Sequence, residues 1–302
     1  MSTVPIEHAP EPSPTEPARF AEAAARRTWW AFLRATGAAG IASAAVIAAA
    51  TLVAVLGPLI APDDPTFAQL SFSYVGPIGG HPLGFDGQGR DVLSRLLVGA
   101  RTSMLGPLAV VVICIAAGTL LAVSAAWRRG AYDAVVSSGL DILFAFPGIL
   151  LAILAATVFG AGLVAAVIAL SVAYTPYVAR VLRGAALRER SQQYVAALEV
   201  QGASSIAICL RHLIPNMLPL IVAQATILFG YAMVDLAAIS FLGLGVQPPQ
   251  PDWGVMVSEN QPGVVQGYPL AALAAGVCIV VVVVAFNILG ERLYEQAQAE
   301  RR

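Results

Sequence analysis

Asp141 and Asp235 each stand alone inside a long apolar run. An ionisable side chain is costly in hydrocarbon, so such residues face a wet cavity, a partner or another helix and are candidates for function by default. For these two, a helix-to-helix hydrogen bond and a place in a pathway or gate both fit. The other residues that could do chemistry are scattered. His8, His81 and His212 offer no metal-ligand spacing. Cys114, Cys209 and Cys278 form no CxxC pair and read as small apolar residues. No Ser-His-Asp, Cys-His or paired-carboxylate arrangement supplies a nucleophile with its base. All 17 basic residues are arginine. Without lysine the chain can hold neither a Walker A phosphate loop nor a lysine Schiff base. The expectation is a non-catalytic chain with no metal site and no cofactor of its own.

The elements that would position these residues belong in a bilayer. The chain has 302 residues, 58% hydrophobic and 12% charged. Soluble globular domains carry roughly 25% charged residues, so this chain cannot cover a water-facing surface in the usual way. A net charge of −1 gives no basic excess for nucleic acid. Residues 1–27 are rich in Pro and Glu and read as a disordered tail rather than a signal peptide. Trp29, Trp30 and Phe32, with Arg26, Arg27 and Arg34, then read as an interfacial anchor. Six apolar runs follow, at 38–60, 102–126, 134–158, 162–179, 216–242 and 269–289. Each approaches the roughly 20 residues that a spanning helix needs. The third and fourth are joined so tightly that they predict a hairpin. With the N-terminus inside, the outer segments hold only Arg90, Arg95 and Arg101, and the other fourteen arginines lie inside. Both termini are therefore expected in the cytoplasm.

Three segments between the spans are too long to be simple turns. In the outer segment 61–101, Val92, Leu93, Leu96 and Leu97 have helical spacing and predict an amphipathic helix lying on the surface. The outer loop 243–268, with Gln247 and Trp253, is expected to be structured but not helical. The inner loop 180–215 predicts a helix from Gln192 to Gln201 ended by Gly202. Ser204 or Ser205 would cap a second helix that stops before Pro215. Two short helices meeting at a glycine form an elbow that could fit a groove on a partner, although an ordinary re-entry loop fits the same residues. Gly57-Pro58, Phe146-Pro147 and Thr175-Pro176 are expected to kink or end helices. Asn287, in the sixth run, reads as a polar tie between helices more readily than as a ligand.

Ala196-Ala197-Leu198, Gly202 and Pro215 stand at the spacing of the Glu-Ala-Ala loop of ABC importer permeases, and the chain resembles that family. Arg211-His212-Leu213-Ile214-Pro215-Asn216 is similar to the form found in its dipeptide, oligopeptide and nickel branch. Ala196 replaces the usual Glu. His81-Pro82-Leu83-Gly84-Phe85-Asp86 with Gly89-Arg90-Asp91 resembles that branch's outer segment. Asp141 with Phe146-Pro147 matches its third span, Ser240 to Pro249 with Trp253-Gly254 its fifth-span exit, and Phe286 to Glu291 its ending.

The resemblance implies an all-α type I importer permease with six transmembrane helices and both termini inside, in the bacterial cytoplasmic membrane. It implies a tail and anchor over 1–35, a first span with outer segment over 36–101, and a five-helix core over 102–302. Within the coupling loop 180–216, the implied docking residues are Tyr194, Ala196, Ala197, Gly202, Ala203, Ser204, Arg211, His212, Pro215 and Asn216. Asp141, Phe146, Pro147, Asp235 and Asn287 become candidates for the pathway or gate. Arg90, Asp91, Gln247 and Trp253 become candidates for outer-loop contacts. The implied partners are a homologous permease forming a heterodimer, one or two ATPase subunits that bind ATP and Mg, an extracytoplasmic solute-binding protein, and membrane lipid. Dipeptides or oligopeptides are the implied cargo. Nickel, haem, glutathione and other small ligands are alternatives, and a secondary transporter or a membrane-embedded enzyme is a remote one.

Overall fold

A computed structural model describes residues 37–299, so the expected tail and the Trp29-Trp30 anchor lie outside the described residues. The fold is all-α. Helix α1 is Gly37–Ile60, α2 Val92–Arg128, α3 Gly130–Phe144, α4 Gly148–Phe159 and α5 Leu163–Arg190. The inner loop holds α6, Gln193–Val200, and α7, Ser205–Ile208. A π-helical turn, Cys209–Leu213, then leads into α8, Ile214–Phe241. Two short helices, α9 (Trp253–Glu259) and α10 (Gln261–Val265), precede α11, Leu270–Ala299. Five of these stretches are long and apolar enough to cross a membrane, and α3 with α4 makes a sixth if the bent pair counts as one span.

Small residues let the long helices approach closely, as is usual where no water drives helix association. A Cβ on Gly118 of α2 would lie 2.6 Å from the Val178 side chain of α5. A Cβ on Gly57 of α1 would lie 2.1 Å from the Leu97 carbonyl oxygen of α2. The core runs along these contacts through Ala122, Ala126, Leu182 and Ala186, and on through Met217, Leu228 and Met233 of α8.

Three expectations need correction. The helix expected to lie on the outer surface is instead the first two turns of α2, which continues into the second span. Nothing between Ala100 and Thr102 breaks a helix, and Asp91 caps the element by accepting from the Ser94 N–H at 2.7 Å. The loop 243–268 contains α9 and α10, because Asp252 accepts from the N–H groups of Gly254 and Val255 and so starts a helix there. The kink expected at Phe146-Pro147 is present, and α3 and α4 meet at 81° across Ala145-Phe146-Pro147. Pro147 has no N–H to donate and disfavours helical backbone at Phe146, and α3 ends at Phe144. At the other end of the inner loop the helix does not stop before Pro215. The π turn widens the helix just ahead of that ring and relieves its clash with the carbonyl four residues back. Pro58 and Pro176 likewise lie inside helices that continue past them.

Candidate functional site

The inner elbow is built as a helix stop followed by a helix start. Helix α6 ends in a paired hydrogen-bond motif, with Gly202 N–H donating to Glu199 O and Ala203 N–H to Leu198 O, each at 3.0 Å. That closure requires a left-handed residue, and Gly202 has φ +81°. Ser204 then caps α7, accepting from Ala207 N–H at 3.3 Å. Val200, Ile206 and Leu210 are 89%, 72% and 58% exposed around this turn. Three large apolar side chains in the open at one elbow form a surface suited to a partner. Beside them a crevice of about 520 Å³ opens between the inner end of α2 and the elbow, lined by Leu120, Trp127, Ile206, Cys209 and Leu210.

The elbow is tied to the spans by polar contacts that the spacing did not reveal. Tyr194 donates to Glu189 at 2.8 Å, and Asn216 donates to Glu189 at 3.0 Å and to Tyr194 at 3.1 Å. This triangle joins the end of α5, the start of α6 and the start of α8. Burial, with Glu189 beside it, pushes the Tyr194 hydroxyl up to about 12. Arg190 donates to the carbonyls of Ala126 and Trp127, with its guanidinium 4.6 Å above the Trp127 ring. His212 lies 6.5 Å from the Tyr194 ring. Ala196 faces outward, and Glu199 is the exposed carboxylate nearest to it on α6.

The pathway candidates fall in three different helix interfaces. Asp141 of α3 accepts from Arg180 of α5 at 2.6 Å, with both side chains more than half exposed. Arg180 also lies 4.7 Å over the Phe144 ring, beside the bend at Phe146-Pro147. Asp133, two turns earlier in α3, pairs with Arg183. Asp235 of α8 accepts from the Tyr174 hydroxyl of α5 at 2.6 Å. Asn287 of α11 rests on Gly230 of α8, where an added Cβ would lie 3.1 Å from the amide. The structure therefore does not gather these residues into one site. It uses each to join a different pair of helices.

Three of the four outer-loop candidates are buried and cannot meet another chain directly. Arg90 is 2% exposed and donates to Asp86 at 2.7 Å and to Glu259 at 2.8 Å. Arg95 donates to Glu259 at 2.6 Å. Together they form a closed, neutral set of two arginines and two acids under the outer layer. Asp91 caps α2 and lies 3.0 Å from His81 Nδ1. His81 Nδ1 also lies 3.3 Å from Asp63. These three side chains converge as metal ligands could, which the sequence did not suggest. Trp253 donates from its ring to Leu96 O at 3.0 Å. Next to it, Ser103 donates to Asp252 at 2.7 Å, and burial raises the Asp252 carboxyl above its usual range. Gln247 is the exposed member of the four. Neither Glu259 nor Glu189 stands in a recognisable motif, and Glu259 lies 169 residues from Arg90, so spacing could not have flagged either.

Comparison with known proteins bears on the family and the fold. Residues 106–298 match the family model described as "Binding-protein-dependent transport system inner membrane component". A glutathione transport system permease protein of Escherichia coli is 38% identical over 246 residues, covering 80% of each chain. One from Pectobacterium atrosepticum is 35% identical over 270 residues, covering 89% of this chain and 88% of the relative. Among solved structures, an inward-facing form of the MetNI methionine ABC transporter matches at TM-score 0.55 and 22% identity. That match covers 67% of this chain and 96% of the transporter chain, and it speaks for the fold alone.

Proposed function

Because the chain belongs to the family of binding-protein-dependent transport system inner membrane components, we propose that it imports short peptides or peptide-like solutes, glutathione among them, as one half of a two-permease channel. It is a non-catalytic permease subunit of an ABC importer in the bacterial inner membrane. Subunits of this kind carry no cofactor, and ATP and Mg belong to the partner ATPase. A solute-binding protein and an ATPase complete such a system.

The observation that carries the mechanism is the Gly202 elbow. Closure of the ATPases on ATP pushes the projecting elbow, and the Glu189-Tyr194-Asn216 triangle passes that push to α5 and α8 together. The spans then swing as near-rigid units between two accessible states. The Asp141–Arg180 pair, beside the Pro147 bend, is the gate in this reading. Both termini lie in the cytoplasm in this reading, on the strength of the arginine asymmetry. The solute-binding protein meets exposed outer positions such as Gln247, while the buried Arg90, Asp91 and Trp253 hold those positions in place. The substrate class rests on the two glutathione permease relatives.

The test is uptake by the complex in proteoliposomes, with the binding protein outside and ATP inside. Labelled glutathione and a labelled dipeptide are offered in turn. ATP-dependent accumulation of either is expected. Accumulation of neither, in a complex that still hydrolyses ATP when the binding protein is added, would overturn the substrate class and leave the permease role standing.

A further inference from the structure

A crevice of about 510 Å³ lies between α1, α2, α8 and α11. Its walls include Thr51, Val55, Leu105, Phe229 and Phe286, and its rim includes Arg101. The floor is apolar: Phe229 and Phe286 stack with centroids 3.8 Å apart, and Val55 and Leu105 are 65% and 51% exposed. Arg101 is exposed and forms no ion pair or hydrogen bond with any of the described residues. It stands where the apolar run of α2 begins, which is headgroup depth for a spanning helix. From Arg101 down to Leu108, a further wall residue, seven residues at ~1.5 Å each give a slot about 10 Å deep.

An unpaired guanidinium over an apolar slot matches a molecule with an anion at one end and hydrocarbon at the other. We propose that this crevice is a binding site for an anionic glycerophospholipid. The Arg101 guanidinium takes the phosphate in a charge-assisted contact, and one acyl chain lies along Val55, Leu105 and Phe286. The site shares no lining residue with the Gly202 elbow, and it makes the bound lipid a structural ligand of the α1–α2 pair.

The test uses the assembled complex in phosphatidylcholine bilayers doped with photoactivatable phosphatidylglycerol, or with the matching phosphatidylcholine probe. Each probe carries its reactive group in the acyl chain. Peptides containing Val55, Leu105 and Phe286 are expected to take up the anionic probe about fivefold more than the zwitterionic one, the value of one favourable cationic contact at a membrane surface. Arg101→Gln should bring the two to parity and Arg101→Lys should keep most of the preference, with only assembled complex counted. Equal labelling in the unmodified protein would overturn the proposal. So would failure of both probes together with disulfide trapping of a Leu105→Cys variant to the partner permease, which would make the crevice a subunit contact.

Discussion

Gly202 offers the sharpest test of how the elbow works. Its φ is +81°, and a Cβ built there meets nothing within 4 Å. Within this chain, a side chain at this position therefore costs only backbone strain. For an ordinary L-residue the left-handed conformation costs roughly 1–2 kcal/mol, and β-branched residues tolerate it worst. Asparagine adopts it readily. Within α6 only Val195 is buried, so little packing opposes a local rearrangement. A penalty of that size shifts a conformational ratio by about 5- to 30-fold. Gly202→Asn should then be close to normal. Gly202→Ala should lose about fivefold, and Gly202→Val about thirtyfold, in ATP hydrolysis stimulated by loaded binding protein. Membrane levels of the subunit should stay constant across the series. The assay is stimulated over basal hydrolysis in proteoliposomes, with the subunit quantified by immunoblot. Normal coupling in the Val variant would refute the docking role. Equal losses in all three variants would refute the conformational argument, because the space around the Cβ is empty and only φ separates them.

Two further outcomes follow from the outer layer. Glu259→Gln leaves the buried cluster of Arg90, Arg95 and Asp86 with an uncompensated positive charge, which should destabilise it by about 3–5 kcal/mol. Limited proteolysis should then cut within 62–91, and joint replacement of Arg95 by Met and Glu259 by Leu should restore much of the resistance; an unchanged Glu259→Gln digest would count against the cluster as a lock. A Gln247→Cys variant should react with a membrane-impermeant maleimide added to intact cells, and reaction only in inverted vesicles would reverse the orientation.

The parts legible in the sequence were those set by local physics. Apolar runs of spanning length gave the long helices, and a glycine between two short helical stretches gave the elbow, because helix stops and caps are written in adjacent residues. What stayed hidden depends on distant partners. Arg90 and Trp253 read as contacts with another chain because they fall in the long segments 61–101 and 243–268 between the spans. Their burial depends on Glu259 and Leu96, each more than 150 residues away from its partner. The surface reading of 89–100 failed for another reason. Amphipathic spacing looks the same whether a helix lies on lipid or packs beneath folded loops. The Pro147 break was expected, but its 81° angle was not, since a proline can end a helix without setting where the next one points.

The bend between α3 and α4 also bears on what must cover the protein. A break in helical hydrogen bonding is tolerated at membrane depth only where protein or water covers it. Phe144 and Phe146, on either side of the break, are 49% and 54% exposed in the single chain. Helix α4, with 12 residues, is about 18 Å long, too short to cross a ~30 Å core alone. Where the α3–α4 pair crosses the membrane as one span, this bend is a place that protein or water has to cover. The exposed Phe144 and Phe146 mark the side of the bend on which such cover would sit.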